Sequence, residues 1–403
     1  MRITSLDLVV AVVFAAGLFP PFISIATAAD HISLTREVLI ESGTSPRGGV
    51  EPNAIVQTHE GGYVIAGASG GAWAARVDPS GKVQWRYASH TPTSGRNSYE
   101  DVATFPDDST ILCGSTDIRE GSATQFSGLV THLDKTGQVI SEKALRPNDT
   151  NNYLIARLKH CTAVGREIVL TGFAELSGNQ PSEQTGRRTW VVVLNENGDV
   201  KSETTIPGLN SELIRVMPNG DLVMMQKLRG EVSNILDSRR IVRMDSHGAV
   251  NAEKIIPLPL SAVTSVPDDS LIRFIWYGDG SGIAHLLTLD SQLKEIGRVE
   301  GTERLLITKR AYSLSDGSLV LFGGQKYEGN TYTASIAWIN RDLNQKQALV
   351  IEPTLASTNV VDAVPTGKPG EFATVRSVGP TYYHLLGRDE KRLGVALTFV
   401  QVN

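Results

Sequence analysis

Ala75-Arg76-Val77-Asp78-Pro79-Ser80-Gly81-Lys82-Val83-Gln84-Trp85 is the stretch on which the reading of this chain turns. An apolar run enters, a turn of Asp, Pro, Ser and Gly reverses it, and a second, mixed run leaves. Each turn residue has a physical reason: Pro presets φ, Asp bonds to nearby backbone, and Gly tolerates positive φ. The same punctuation returns as Asp134-Lys135-Thr136-Gly137, Asn195-Glu196-Asn197-Gly198, Asp245-Ser246-His247-Gly248, Asp290-Ser291-Gln292, Asn340-Arg341-Asp342 and, most degraded, Arg388-Asp389-Glu390. Their first residues stand 56, 61, 50, 45, 50 and 48 positions apart. A period near fifty belongs to radially repeated four-stranded units rather than to the shorter helical or leucine-rich repeats.

Unit one shows the pattern most clearly. Asn53 to Thr58 reads as strand a, His59-Glu60-Gly61-Gly62 turns it back, Tyr63 to Gly67 forms b, Trp73 to Val77 forms c, and Lys82 to Ala88 forms d. Strand b is almost continuously apolar, as in Ile168-Val169-Leu170 and Leu319-Val320-Leu321-Phe322, which marks a strand buried on both faces. Strand d mixes in charge, as in Val250-Asn251-Ala252-Glu253-Lys254, which suits an exposed edge that must not pair with another molecule. This gradient predicts an all-β fold, a seven-bladed β-propeller of four-stranded antiparallel blades, with residues 29–403 as one domain. Closure is open between two segments: His31 to Ser42 resembles a rim strand, yet Arg392 to Val402 already reads as strand d of unit seven.

Connections between d and a and between b and c share one end of such a molecule. They include the long segments Ser89–Ser98, Arg146–Asn152, Asp117–Gln125, Glu175–Arg188, Lys227–Arg239 and Gln325–Tyr332. Long irregular connections on a rigid scaffold are where binding concentrates.

Residues 1–28 read as an export signal: Arg2, an apolar stretch from Leu8 to Leu18, and Ala26-Thr27-Ala28 as the cleavage site. An uncleaved anchor is the rival reading, because apolar residues continue past Pro20-Pro21 to about the length of a membrane span. The predicted location is the periplasm or the exterior, with no stable membrane insertion after signal removal. Cys113 and Cys161 are the only cysteines, and an oxidising compartment makes a disulfide between them one reading and two small buried apolar side chains the other. A net charge of −5 over 403 residues offers no general attraction to nucleic acid or acidic lipid.

Chemistry is harder to find. Gly67-Ala68-Ser69-Gly70-Gly71 matches a nucleophile elbow, but Trp73 begins a strand where that device needs a helix. The eight histidines form no close pair, and Gly278-Asp279-Gly280-Ser281-Gly282 lacks the alternating carboxylates of a calcium loop. No metal and no cofactor are expected. Strand a surrounds the predicted axis, and its polar members Asn53, Asp101, Arg157, Lys159, Arg215, Lys309, Arg310 and Asp362 form either a ring able to orient a small anion or a partner's loop, or a solvated channel with balanced charge. Arg187, Arg188, Arg239 and Arg240, placed in b-to-c loops, make a basic lobe that suits an acidic partner surface.

The Ala75 to Trp85 segment resembles the docking repeat of quinoprotein-like propellers, where an Asp/Gly turn precedes a Trp that wedges between blades. Only unit one carries that Trp; units two to four place Ser141, Glu203 or Glu253 near the equivalent rim position. The resemblance implies kinship in fold. Quinone enzymes of that group commonly have eight blades, a vicinal cysteine pair and an acidic calcium site, whereas this chain has seven units and no adjacent cysteines. A looser similarity to exported bacterial seven-bladed propellers implies binding without catalysis. The expected function is a non-catalytic scaffold of the envelope that recognises a protein or a small anion. The alternatives are a propeller hydrolase, lyase or quinone-dependent oxidoreductase, and an immunity-type protein that neutralises a toxin.

Overall fold

The computed structural model describes residues 32–42, 50–91, 97–120, 123–148, 153–176, 187–207, 209–217, 220–228, 238–245, 248–256, 263–266, 271–277, 283–304, 307–326, 332–351, 357–378 and 394–403. Residues 1–28, which the sequence predicts to be an export signal, Arg388-Asp389-Glu390 and the Gly278 to Gly282 stretch lie outside them. Every regular element among the described residues is a strand, and no helix is long and apolar enough to cross a membrane.

The chain enters through β1 (Ile32–Ser42). A first set follows: β2 (Glu51–Gln57), β3 (Tyr63–Ala68), β4 (Ala72–Val77) and β5 (Val83–Ala88). The second is β6 (Ser98–Thr104), β7 (Thr110–Glu120), β8 (Ala123–Leu133) and β9 (Val139–Leu145). The third is β10 (Tyr153–Val164), β11 (Glu167–Leu176), β12 (Arg187–Leu194) and β13 (Val200–Pro207). The fourth is β14 (Leu209–Val216), β15 (Leu222–Leu228), β16 (Ser238–Met244) and β17 (Val250–Ile256). The fifth is β18 (Val263–Val266), β19 (Ile272–Tyr277), β20 (Ile283–Leu289) and β21 (Glu295–Arg304). The sixth is β22 (Ile307–Ser313), β23 (Leu319–Lys326), β24 (Tyr332–Ile339) and β25 (Gln345–Val350). The chain ends with β26 (Ser357–Pro365), β27 (Glu371–Val378) and β28 (Gly394–Val402).

Sets one, four, five and six are separate four-stranded antiparallel sheets, while sets two and three are joined into one eight-stranded sheet. A single parallel bridge, Ile155 opposite Phe126, makes that join. The last sheet runs β1, β28, β27, β26. Here the reading of Arg392 to Val402 as an outer strand is corrected: β28 is the third strand, and β1 pairs with it antiparallel from Ile32 opposite Val402 to Ser42 opposite Gly394. The reason is compositional, since β28 is buried along almost its whole length and its apolar run Val395-Ala396-Leu397 needs cover on both faces. The Arg388 triplet precedes β28, so it is not the counterpart of the other c-to-d turns.

Burial falls outward as the alternation predicts. In the first set β3 and β4 are almost wholly buried, while β5 alternates and the outer strands β9 and β17 mix exposed with half-buried residues. Apolar residues from facing sheets form one cluster at each junction. Ala54 and Val64 of the first set meet Tyr99 and Leu112 of the second. Clusters of the same kind join second to third, third to fourth, fourth to fifth, fifth to sixth and sixth to last. Ile55 and Ile65 then meet Val375 and Leu397, so the last sheet packs on the first.

Candidate functional site

The two ends of the sheets are built differently. At one end the turns into each outer strand repeat one geometry. The Asp78 amide bonds to the Lys82 carbonyl at 2.9 Å and the Gly81 amide returns to the Asp78 carbonyl. The Asp78 carboxylate accepts the Ser80 and Lys82 amides at 2.8 and 2.9 Å. Asp134, Asn195, Asp290 and Asn340 accept the same two amides. Hydrogen bonds from Thr136 and the Gln138 amide hold the Asp134 carboxyl below its ordinary range. The fourth turn residue lies at positive φ: Gly81, Gly137, Gly198 and Gly248, but also Leu293 and Leu343, both at 62°.

That fourth residue meets the outer strand of the preceding set. A Cβ on Gly137 would stand 2.8 Å from Trp85, and one on Gly81 would stand 2.8 Å from Val38 of β1. Gly198 faces Ser141, and Gly248 faces Thr204. Where Leu replaces Gly the partner shrinks. Leu293 packs in a cluster that includes Ala252, and Ala252 occupies in β17 the register that Trp85 occupies in β5, opposite an arginine of the third strand.

Those arginines were not singled out by sequence reasoning. Arg76, only 2% exposed, donates to Asp108 and Glu60, each at 3.0 Å, and to the Lys135 carbonyl at 3.2 Å. Arg243 donates to Asp221 at 2.7 Å and to the Ser291 carbonyl at 2.6 Å. Lys135 and Ser291 both follow the Asp of a turn in the next set. Arg36 of β1 reaches the equivalent Pro79 carbonyl at 2.7 Å. His132 stands at this register in β8, opposite Ser141. Burial pushes its pKa down, against the pull of the Asp107 carboxylate and the Glu196 backbone.

The innermost strands β2, β6, β10, β14, β22 and β26 each carry a register shift near their middle, where a β-bulge re-aims side chains. There the predicted axial residues are largely engaged with neighbouring strands. Asp362, 2% exposed, accepts the Ile55 amide at 2.9 Å and pairs with Arg310. Its carboxylate raises the Arg310 pKa further and keeps that guanidinium charged. Asp101 accepts the Cys161 amide at 3.2 Å and has His160 at 3.4 Å. Asn53 donates to the Tyr99 carbonyl at 2.7 Å, and Lys159 pairs with Glu100 at 3.0 Å. These side chains stitch adjacent innermost strands that share almost no backbone ladder. Lys309 is exposed, and the side chain of Arg215 lies outside the described residues.

At the other end most of the long connections lie outside the described residues, among them 177–186, 229–237 and 327–331. Asp117 to Gln125, expected as a loop, is a continuation of the β7–β8 hairpin, paired as far as Glu120 opposite Ala123. Past Ser115, where β6 stops pairing, and Gly128, where β9 does, residues 116–120 and 123–127 continue as a two-stranded arm whose base is buried at Thr116, Asp117 and Ser127. Phe126 on that arm lies 4.6 Å under the guanidinium of Arg157. Below the arm, Glu142 accepts Tyr87 at 2.5 Å, Thr91 at 2.6 Å, Thr131 at 2.9 Å and Ser89 at 3.1 Å. Burial alone would raise its pKa, but these bonds outweigh it and lower the carboxyl. Glu203, at the same register of the next set, accepts the Asn148 amide at 3.0 Å and the Trp190 indole at 2.8 Å. Each glutamate thus pins the connection arriving from the preceding set.

The basic lobe is rearranged. Arg187 and Arg188 lie in β12, and Arg239 and Arg240 in β16, because strand pairing runs further toward this end than the polar composition suggested. Successive residues of a strand point to opposite faces, so Arg239 and Arg240 do not share one. Arg240 pairs with Glu253 at 2.6 Å, Arg188 is half-buried, and the Arg187 side chain lies outside the described residues. Ser69 sits in a turn whose amide bonds to Gly71, leading into β4 rather than a helix. Among the described residues no group of three His, Cys, Asp or Glu is placed to hold a metal ion.

No family model matches the chain, and no curated protein matches it. Among solved structures it is similar to the β-propeller domain of the trilobed protease from Pyrococcus furiosus, at 11% identity and a TM-score of 0.50, over 87% of this chain and 93% of that one. It is also similar to hydrazine synthase of Kuenenia stuttgartiensis, at 13% identity and a TM-score of 0.51, over 80% of this chain and 92% of that one. A third is the WD40 β-propeller domain of Doa1, at 8% identity and a TM-score of 0.47, over 89% and 96%. At such identities the likeness is one of fold alone, and the fold is a β-propeller.

Proposed function

We propose that residues 29–403 form a seven-bladed β-propeller, exported to the periplasm or beyond, that works as a non-catalytic binding scaffold for a protein partner. The seven strand sets are its blades, and β1 is the outer strand of the last. The carrying observation is the contrast between the ends: uniform turns at one, and at the other a hairpin that outruns its neighbouring strands and connections pinned from below by Glu142 and Glu203. A rigid base that presents irregular chain is the usual layout of a recognition surface. A protein partner is favoured over a small anion because the axial cations Arg310 and Lys159 already have carboxylates.

The test is affinity capture from envelope extracts with the purified chain, followed by titration of the recovered partner against two variants. One replaces Asp117–Gln125 by a two-residue turn that keeps the hairpin; the other changes Arg187, Arg188, Arg239 and Arg240 to alanine. Trimming the arm is expected to weaken binding at least about tenfold, the scale of a well-placed interface anchor. The arginine variant is expected to bind more weakly and with a shallower salt dependence. Unchanged affinity and unchanged salt dependence in both variants sink the proposal.

A further inference from the structure

The junction between the second and third sets is unlike the other six, because there two sheets become one through the Ile155 to Phe126 bridge. Cys113 on β7 and Cys161 on β10 enter the apolar cluster of that junction from its two sides. Both are free thiols, exposed by 0% and 5%, and they are the only cysteines in the chain. The backbone brings them together. Asp101 is the cross-strand partner of Cys113, and the same Asp101 accepts the Cys161 amide. The Cys161 thiol lies 3.7 Å from the carbonyl of Ile111, two residues before Cys113.

We propose that Cys113 and Cys161 are a redox pair, oxidised during folding to a disulfide that fastens the second set to the third. The oxidant is a disulfide donor. One cysteine thiolate attacks a donor sulfur and expels the first donor thiolate, leaving a mixed disulfide. The second cysteine thiolate then displaces the other donor thiolate. The pair gives up two protons and two electrons, and the donor becomes two thiols. Timing follows from burial. Desolvation pushes both thiols up in the closed junction, where thiolate is scarce and a donor has no path. Exchange therefore takes place while the junction is open. The bridge closes a loop of 48 positions, and cross-linking distant residues constrains the unfolded chain most.

The full chain, reduced and unfolded, is refolded in a buffer of oxidised and reduced glutathione, quenched with acid, then alkylated under denaturing conditions and weighed. The expected product is a monomer lighter by about 2 Da that takes no alkyl group. It should melt about 5 °C above the reduced chain. Adding the same buffer to chain already folded in its reduced form is expected to bridge it at least about tenfold more slowly. The Cys113→Ala/Cys161→Ala double variant should show no redox-dependent shift in melting. Two alkylated cysteines after oxidative refolding overturn the proposal, as does a bridge between chains or a bridged form that melts below the reduced one. Equal bridging rates for folded and unfolded chain overturn the claim that closure shuts off exchange.

Discussion

The junction between sets one and two and the junction between sets four and five solve the same packing problem from opposite sides. In the first, the outer strand supplies the bulk as Trp85 and the turn retreats to Gly137 at φ 85°. In the second, the outer strand retreats to Ala252 and the turn supplies Leu293, 3% exposed, at φ 62°. Either way an arginine below, buried at Arg76 and partly exposed at Arg243, holds the turn by the carbonyl after its Asp, Arg76 on Lys135 or Arg243 on Ser291. These two junctions therefore share one cationic clamp and place a bulky side chain in the same seam. They differ in which element provides that side chain. A non-Gly residue at positive φ is strained, so the Leu293 turn exchanges local backbone strain for apolar burial.

The largest difference between the junctions is expected from removing the cations. Arg76→Ala leaves the Asp108 carboxylate, itself 2% exposed, with the His59 and Glu60 amides but without its guanidinium, and should cost about 3 kcal/mol in urea unfolding. Arg243→Ala should cost less, about 2 kcal/mol, because the Arg243 and Asp221 side chains keep more access to water. Equal losses would mean that burial does not distinguish the two clamps.

Next in size is the exchange of wedges. Leu293→Ala is expected to lose about 3 kcal/mol, the cost of emptying a buried leucine site. Combining Ala252→Trp with Leu293→Gly transplants the first junction into the second. Its stability should exceed the sum of the two single changes by about 1 kcal/mol or more. An additive result would show that the two positions do not share one space.

The smallest effect separates both junctions from the one between sets two and three, where His132 replaces the arginine. Its folded pKa is lowered from an ordinary 6.5 by burial, so the unfolded chain takes up the proton first. Its contribution is complete above pH 6.5 and declines as pH falls below that value. In a pH series of melting temperatures, His132→Gln should flatten the slope just below pH 6.5, whereas Arg243→Ala should not. An unchanged slope would remove His132 as its source. Glu142, whose carboxyl is also lowered in the fold, begins to shed its own contribution only at more acidic pH, below its ordinary 4.5.

Much of the scaffold is written in short segments. The strands of the first set fall within two residues of those read from alternation and turn chemistry. β28 was misjudged although its apolar run Val395-Ala396-Leu397 was visible, because its place at the chain end suggested an edge. The continuation of the β7–β8 hairpin escapes sequence reading for a different reason. Its residues Thr116, Asp117, Gln125 and Ser127 are polar, and a polar composition looks like a loop even where, as at Thr116, Asp117 and Ser127, the side chains are buried. The axial residues were found as a group and their role was not. Whether Asp362 waits for a ligand or holds the Ile55 amide depends on a neighbour 307 positions away.

From residue order alone came the turns, the period and the inside-to-outside gradient of each sheet, because an Asx side chain bonding two and four residues ahead is decided within one short segment. Tertiary structure decided which strand completes the last sheet, which residues fill each seam and which charges are already paired. Those choices match surfaces about fifty or more than three hundred positions apart, and no local preference carries that information.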